Sequence, residues 1–207
     1  MKISYAIPVC NELNEIQRLL NFLSKNKRPQ DEIVVLYDSV NGSKSVEQYL
    51  RAENVAESKF RWHAYEFDGH FANMKNRLTE LCTGDFIFQI DADEIPSLHL
   101  LTYLPIILEN NNVDVLRVPR INTVSGLTLE HINKWGWRVD NKGRVNWPDL
   151  QWRIYRKSAD ITWKNKVHEV IGGYKTHAIL PLEDEFALEH HKDIKRQEKQ
   201  NNYYDTL

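Results

Sequence analysis

Cysteine is nearly missing from this chain of 207 residues: Cys10 and Cys82 stand far apart, without metal-ligand spacing. That excludes a disulfide framework and a thiolate zinc site, and makes free thiols in a reducing, cytoplasmic setting the expectation. Long apolar runs are missing too. None approaches the ~20 residues a membrane-spanning helix requires, and Met1 to Tyr5 leads straight into a strand pattern, so neither a span nor a targeting segment is expected. Charge of one sign is lacking: the formal net charge of -2 gives no whole-molecule attraction to nucleic acid or an anionic membrane. Repeats and low-complexity linkers are absent, which favours a single domain over 1–207. What is present, 42% apolar and 27% charged residues, is the composition of a globular protein with a sizeable core.

The first ninety residues alternate two periods. Ile3 to Val9 is a short apolar run, and Glu12 to Lys25 carries Leu13, Ile16, Leu19, Leu20 and Leu23 at helical spacing behind Asn11, a plausible N-cap. Glu32 to Tyr37 repeats the buried-strand signature and ends at Asp38, before a helix around Val46, Tyr49 and Leu50. Phe60 to Phe67 reads as a third strand, Phe71 to Cys82 as a helix, and Gly84 to Ile90 as a fourth strand. Strands alternating with helices in this way predict an α/β fold with a mostly parallel, doubly wound sheet.

The fourth strand stops at Asp91-Ala92-Asp93-Glu94, at the carboxyl end where α/β sheets bind ligands. The chain turns there, so Asp91 and Asp93 can converge on a divalent cation; the plainer alternative is a solvated acidic turn. Pro8-Val9-Cys10-Asn11-Glu12 after the first strand and Asp38 after the second belong to the same edge. Together these loops predict one crevice able to take a nucleotide base and ribose.

Residues 113 to 121 make a strand expected to continue the sheet past the acids. Composition then shifts. Five of the six tryptophans fall between Trp135 and Trp163, and residues 134–166 hold nine basic residues, Arg138, Arg144 and Arg153 among them, against three aspartates. Aromatic rings among cations stack bases and hold phosphates, stack on sugar faces, or form core. Trp152 and Trp163 sit in strand patterns that favour core; Trp135, Trp137 and Trp147, flanked by Gly136, Gly143 and Pro148, favour binding. The polar tail after Asp193 reads as a solvated helix.

The ordered set of Ile7-Pro8-Val9-Cys10-Asn11-Glu12, Asp38, the 72–77 helix leading into Gly84-Asp85, and Asp91-Ala92-Asp93-Glu94 resembles glycosyltransferase family 2, the nucleotide-sugar enzymes of the Rossmann-like GT-A fold. Asp149 to Arg156 and Trp163 to Glu169 are similar to acceptor-side motifs of its small non-processive members. One departure stands out: Asp38 is followed by Ser39-Val40-Asn41-Gly42-Ser43 rather than by an acidic pair and Gly-Ser.

The resemblance implies a nucleotide-sugar-binding half (1–121), an acceptor-side half (122–207), and sugar transfer from a nucleoside diphosphate sugar to an acceptor hydroxyl, with inversion. It also implies Mn²⁺ or Mg²⁺ to neutralise the departing diphosphate. Asp93 would be the chief ion ligand, Asp91 would contact ribose or ion, and a late histidine, His190 or His191, would complete the set. Lys75 and Arg77 would face the diphosphate, unless they are simply solvated helix charges. An inverting transfer needs a base for the acceptor proton, and both Asp149 and Glu169 qualify. Trp135, Trp137, Arg138, Arg144, Trp147 and Arg153 would meet the acceptor, either a glycan or a hydroxymethylated base of DNA, since small relatives of this kind occur in bacteriophages. A non-catalytic binding module of the same fold is the competing class. Sugar nucleotidyl transfer is less favoured, because Pro8 to Glu12 contains no glycine for a phosphate loop.

Overall fold

The structure is a computed structural model that describes residues 1–53 and 59–204, with side chains as far as Lys199. Its first half is the alternation expected: β1 (Ile3–Val9), α1 (Leu13–Asn26), β2 (Glu32–Asp38), α2 (Lys44–Glu53), β3 (Arg61–Tyr65), α3 (Phe71–Leu81) and β4 (Phe86–Gln89). The central strands are buried on both faces, so their side chains divide by parity. Tyr5, Ile7, Ile33, Val35 and Phe88 pack with α1 and α2, while Ala6, Val34, Leu36 and Ile87 pack with α3.

The second half comprises β5 (Glu94–Pro96), α4 (Leu98–Asn110), β6 (Val115–Ser125), α5 (Leu129–Trp135), β7 (Val145–Arg156), β8 (Thr162–Lys164), β9 (Val170–Gly172), β10 (His177–Ile179), β11 (Leu188–Asp193) and α6 (Ile194–Tyr204). The main sheet runs β3-β2-β1-β4-β7-β6-β11-β5, with β10 also on β6; β8 and β9 form a separate ribbon. Pairings among β1 to β4 and of β6 with β10 and β11 are parallel; β7 is antiparallel to both β4 and β6, and β5 to β11.

Three expectations need correcting. The strand after residue 113 does not follow β4 directly, because β7 is threaded between them. Asp149, which the sequence pattern sets just before a strand at Gln151 to Arg153, lies inside β7, opposite Arg120. Asn11 does not cap α1. Glu12 holds the N-cap position, and its carboxylate turns back to accept from the Cys10 and Asn11 amides, both at 2.9 Å, which folds the loop over the end of β1.

Candidate active site at the carboxyl edge of the sheet

The β1 and β2 loops are laced together. Ser43 N donates to the Cys10 carbonyl at 3.1 Å. Asp38 is buried and accepts from the Val40 and Asn41 amides at 2.9 and 3.0 Å and from Asn41 Nδ2 at 3.0 Å. The unusual Asn41-Gly42 is thereby explained: Asn41 supplies two of these donors, and a Cβ on Gly42 would overlap the Asp38 carbonyl oxygen and the Tyr37 ring. Pro8, Val9, Asn11, Glu12 and Asp38 thus share one loop cluster, with Val9 and Asp38 buried and Asn11 exposed.

Beyond β4 the chain turns tightly, the Glu94 amide donating to the Asp91 carbonyl at 2.9 Å. Glu94 is fully buried, and a buried carboxylate must be paired. Arg153 meets both its oxygens, at 2.6 and 3.0 Å, and also reaches Asp91 Oδ2 at 2.5 Å; Arg120 adds a contact to Glu94 at 2.9 Å. Arg153 is only 3% exposed, so the acceptor contact expected of it gives way to a clamp that holds the acid turn from below. Burial opposes ionisation of Asp91, but the Arg153 and then the Lys75 charge bring its pKa down to about 2.

Asp93 faces a different set. Its Oδ2 lies 3.3 Å from His190 Nε2, 3.3 Å from Arg196 Nη2 and 3.9 Å from Lys192 Nζ. These three, against burial, hold its carboxyl well below the usual range. Strand parity separates the two histidines: His190 points inward, whereas His191 points outward to Thr123 and Ser125. Arg196 also reaches Glu15 at 2.7 Å and Glu12 at 3.5 Å, tying α6 to the start of α1.

Asp149 stands across a cavity of about 260 Å³ that is also lined by Arg120, Asn122, Trp137, His190 and Lys192. Its Oδ2 accepts from Arg120 Nε at 2.9 Å and from Asn122 Nδ2 at 2.8 Å, with Arg120 Nη2 paired to it at 2.7 Å; its Oδ1 accepts from Gln151 at 2.6 Å. Burial raises the Asp149 pKa, and Arg120 with these hydrogen bonds more than reverses that. Glu169 lies elsewhere, 3.5 Å from Lys75 Nζ, which itself sits 4.4 Å from the centre of the Trp163 ring.

Arg77 does not join the cluster. Two residues along α3 from Lys75 puts it on another face of the helix, where it is exposed and bonded to Glu80. Trp137 lines the cavity and packs on Trp135, which stacks on His131. Trp147 lies under Arg144 instead. The basic window is not one surface. Arg153 is buried, Arg144 and Lys142 are bound to Asp184, Arg156 pairs with Asp114, and Arg138 is exposed. Arg120, Asn122, Lys192 and Arg196 are site residues that the sequence reading missed. Val118, Arg120 and Asn122 alternate along β6, so a polar pair extending an apolar parity was the available signal.

The donor set fits a divalent cation. Asp93 Oδ2 and His190 Nε2 point at one another, and a hard cation takes one or two such protein ligands, completing its shell with phosphate oxygens and water. Among the described residues no third carboxylate, histidine or thiol stands with them. Asp91, expected to share the ion, is instead bonded to Arg153.

A mostly parallel sheet with paired loops, an acid turn and an inward histidine at its carboxyl edge defines a GT-A glycosyltransferase fold. The chain belongs to glycosyl transferase family 2, whose profile matches residues 4–176. Its fold is similar to that of S. aureus TarS 1-349, with a TM-score of 0.65 and 17% identity over 92% of this chain and 60% of that one. The same TarS fragment in complex with UDP-GlcNAc gives 0.64 and 18% over 93% and 59%. The chain therefore spans about three fifths of these TarS structures. No curated protein matches it in sequence.

Proposed function

We propose that this chain transfers a sugar from a nucleoside diphosphate sugar to an acceptor hydroxyl, with a divalent cation, Mn²⁺ or Mg²⁺, held by Asp93 and His190. The observation that carries this reading is that His190, whose Nε2 lies 3.3 Å from Asp93 Oδ2, lines the same cavity as the clamped carboxylate of Asp149. When bound, the ion supplies positive charge against the leaving diphosphate. Lys75, Pro8, Val9, Asn11, Glu12 and Asp38 belong to the donor side, with Asp91 turned toward ribose by its clamp. Asp149 is the base: the two lone pairs of Oδ2 are taken by Arg120 Nε and Asn122 Nδ2, while Oδ1, which among the described residues accepts from Gln151, keeps a lone pair for an incoming hydroxyl. Attack by a hydroxyl activated at Asp149 on the face opposite the leaving diphosphate gives inversion. Glu169, engaged with Lys75, takes an orienting role on the donor side.

The acceptor is read as a glycan hydroxyl, with Trp137 as its platform and Trp135 behind it. A hydroxymethylated base in DNA, the acceptor that a phage-type relative would use, calls for a continuous cationic surface. The dispersal of Arg138, Arg144 and Arg153 favours the glycan. The reading is tested by incubating the protein with a panel of nucleoside diphosphate sugars and Mn²⁺ and following donor cleavage. Cleavage lost in Asp93→Ala and in Asp149→Asn, with the fold intact, is the expected result; full activity of either variant removes its assignment.

A further inference from the structure

Asn122 joins the two chemical halves of the site. It lies on β6 directly opposite His190 of β11, and its amide spans from His190 Nδ1, 2.6 Å from Oδ1, to Asp149 Oδ2, 2.8 Å from Nδ2. The direction of this bridge is forced. Asp149, kept ionised by Arg120 and its hydrogen bonds, can only accept, so the amide NH₂ must face it. The amide oxygen must then face His190, and because that oxygen only accepts, His190 Nδ1 carries the proton. In the neutral ring this leaves Nε2 with a bare lone pair, aimed at Asp93 Oδ2 only 3.3 Å away. A ring protonated at both nitrogens donates from Nε2 to Asp93 Oδ2, which Arg196 and Lys192 also approach, and a divalent cation ligated there would take the place of that proton.

We propose that Asn122 is a positioning residue that couples the base to the ion site, fixing His190 as the Nδ1–H tautomer so that Nε2 is presented for ligation beside Asp93. The inference rests on the reading of Asp93 and His190 as ion ligands and of Asp149 as base. A hydrogen bond to the second ring nitrogen is the general means by which a ligating imidazole is oriented, and losing it costs 10–100-fold in metal affinity. Here one amide serves that purpose and also secures the carboxylate across the cavity.

The tautomer is read directly by ¹⁵N NMR of histidine-labelled protein, with His190 assigned by its loss in His190→Gln. The neutral ring is expected to show a protonated Nδ1 and a bare Nε2; the reverse overturns the proposal and needs no variant that must fold. Mn²⁺ binding in the presence of UDP, followed by the electron paramagnetic resonance of free Mn²⁺, gives the second readout. Asn122→Ala is expected to weaken binding by about 10–100-fold. Asn122→Asp, whose carboxylate still accepts from Nδ1, is expected to keep wild-type affinity or exceed it while donor cleavage falls, because it repels Asp149. Equal losses of affinity in both variants would mean that Asn122 merely fills space, and would overturn the proposal. Wild-type affinity in Asn122→Ala beside a loss in His190→Ala would overturn it and leave the ion ligands standing. A wild-type protein that binds no Mn²⁺ with UDP would remove the ion reading as well.

Discussion

The donors gathered on Asp149 decide where a proton can go. Arg120 contributes one of them, pairs with the same oxygen through a second nitrogen and also touches Glu94, so its removal strips Asp149, the proposed base, of its nearest positive charge while Arg153 still covers Glu94. A carboxylate that loses a neighbouring cation binds protons more tightly. The acidic limb of the donor-cleavage profile is therefore expected to move to higher pH in Arg120→Met, with a rate loss on the order of 10²-fold from the mispositioned base. Arg120→Lys is expected to restore much of the limb and less of the rate, because an ammonium lacks the planar fork. A limb that stays in place in Arg120→Met would show that Arg120 does not tune the base. At this scale the sequence is legible where a residue's neighbours are local. The acid turn follows from the end of one apolar run, and the inward His190 and outward His191 from the parity of a strand. Arg153 and Glu94 do not, since nothing within either segment reveals that each is the other's partner across 59 positions.

Among the elements, the βα units of the first half were legible because their strands are buried on both faces and their helices carry apolar stripes. α4 was not. It is apolar nearly all round and contains Pro105, which blurs the helical period, although Ser97 caps it by accepting from the Leu100 amide at 2.9 Å. Ser97→Ala is expected to lower unfolding stability by about 1 kcal/mol, the usual worth of such a cap, read as a shift in the denaturant midpoint. β7 was legible only around Trp152; its full 12 residues, with a proline, two tryptophans and two arginines, and its place between β4 and β6 are decided by long-range pairing. The terminal helix, read only as solvated, sends Arg196 back to Glu12, Glu15 and Asp93.

For the whole molecule, several carboxylates are stabilised in their charged forms. Burial works against Glu32, yet hydrogen bonds from Ser4, Thr83 and Arg61 lower its pKa to about 2, and Asp91 is brought to about the same value. A carboxylate whose folded pKa is depressed contributes stability that is complete above its unfolded value of roughly 4 and is lost as pH falls through the folded value. The denaturant midpoint is thus expected to hold on the neutral side and to fall between about pH 4 and pH 2. Glu32→Gln is expected to flatten that fall and to lower the midpoint at neutral pH, since Glu32 ties the start of β2 to β1, to β3 and to the loop before β4. The scattered cations make a second expectation: glycosyl transfer to a glycan should depend only weakly on salt, and a steep loss between low and moderate salt would point to a polyanionic acceptor.

One backbone carries both the proposed base and the clamp of the acid turn: Asp149 and Arg153 are four residues apart on β7, which pairs with β6 along this stretch and with β4 from Ile154 onward. The spacing between Asp149 and the residue that holds the acid turn is consequently set along one strand. α6, by contrast, reaches this edge through side chains, Arg196 pinning it to Glu12, Glu15 and Asp93, and is the wall most readily shifted by a change of one residue.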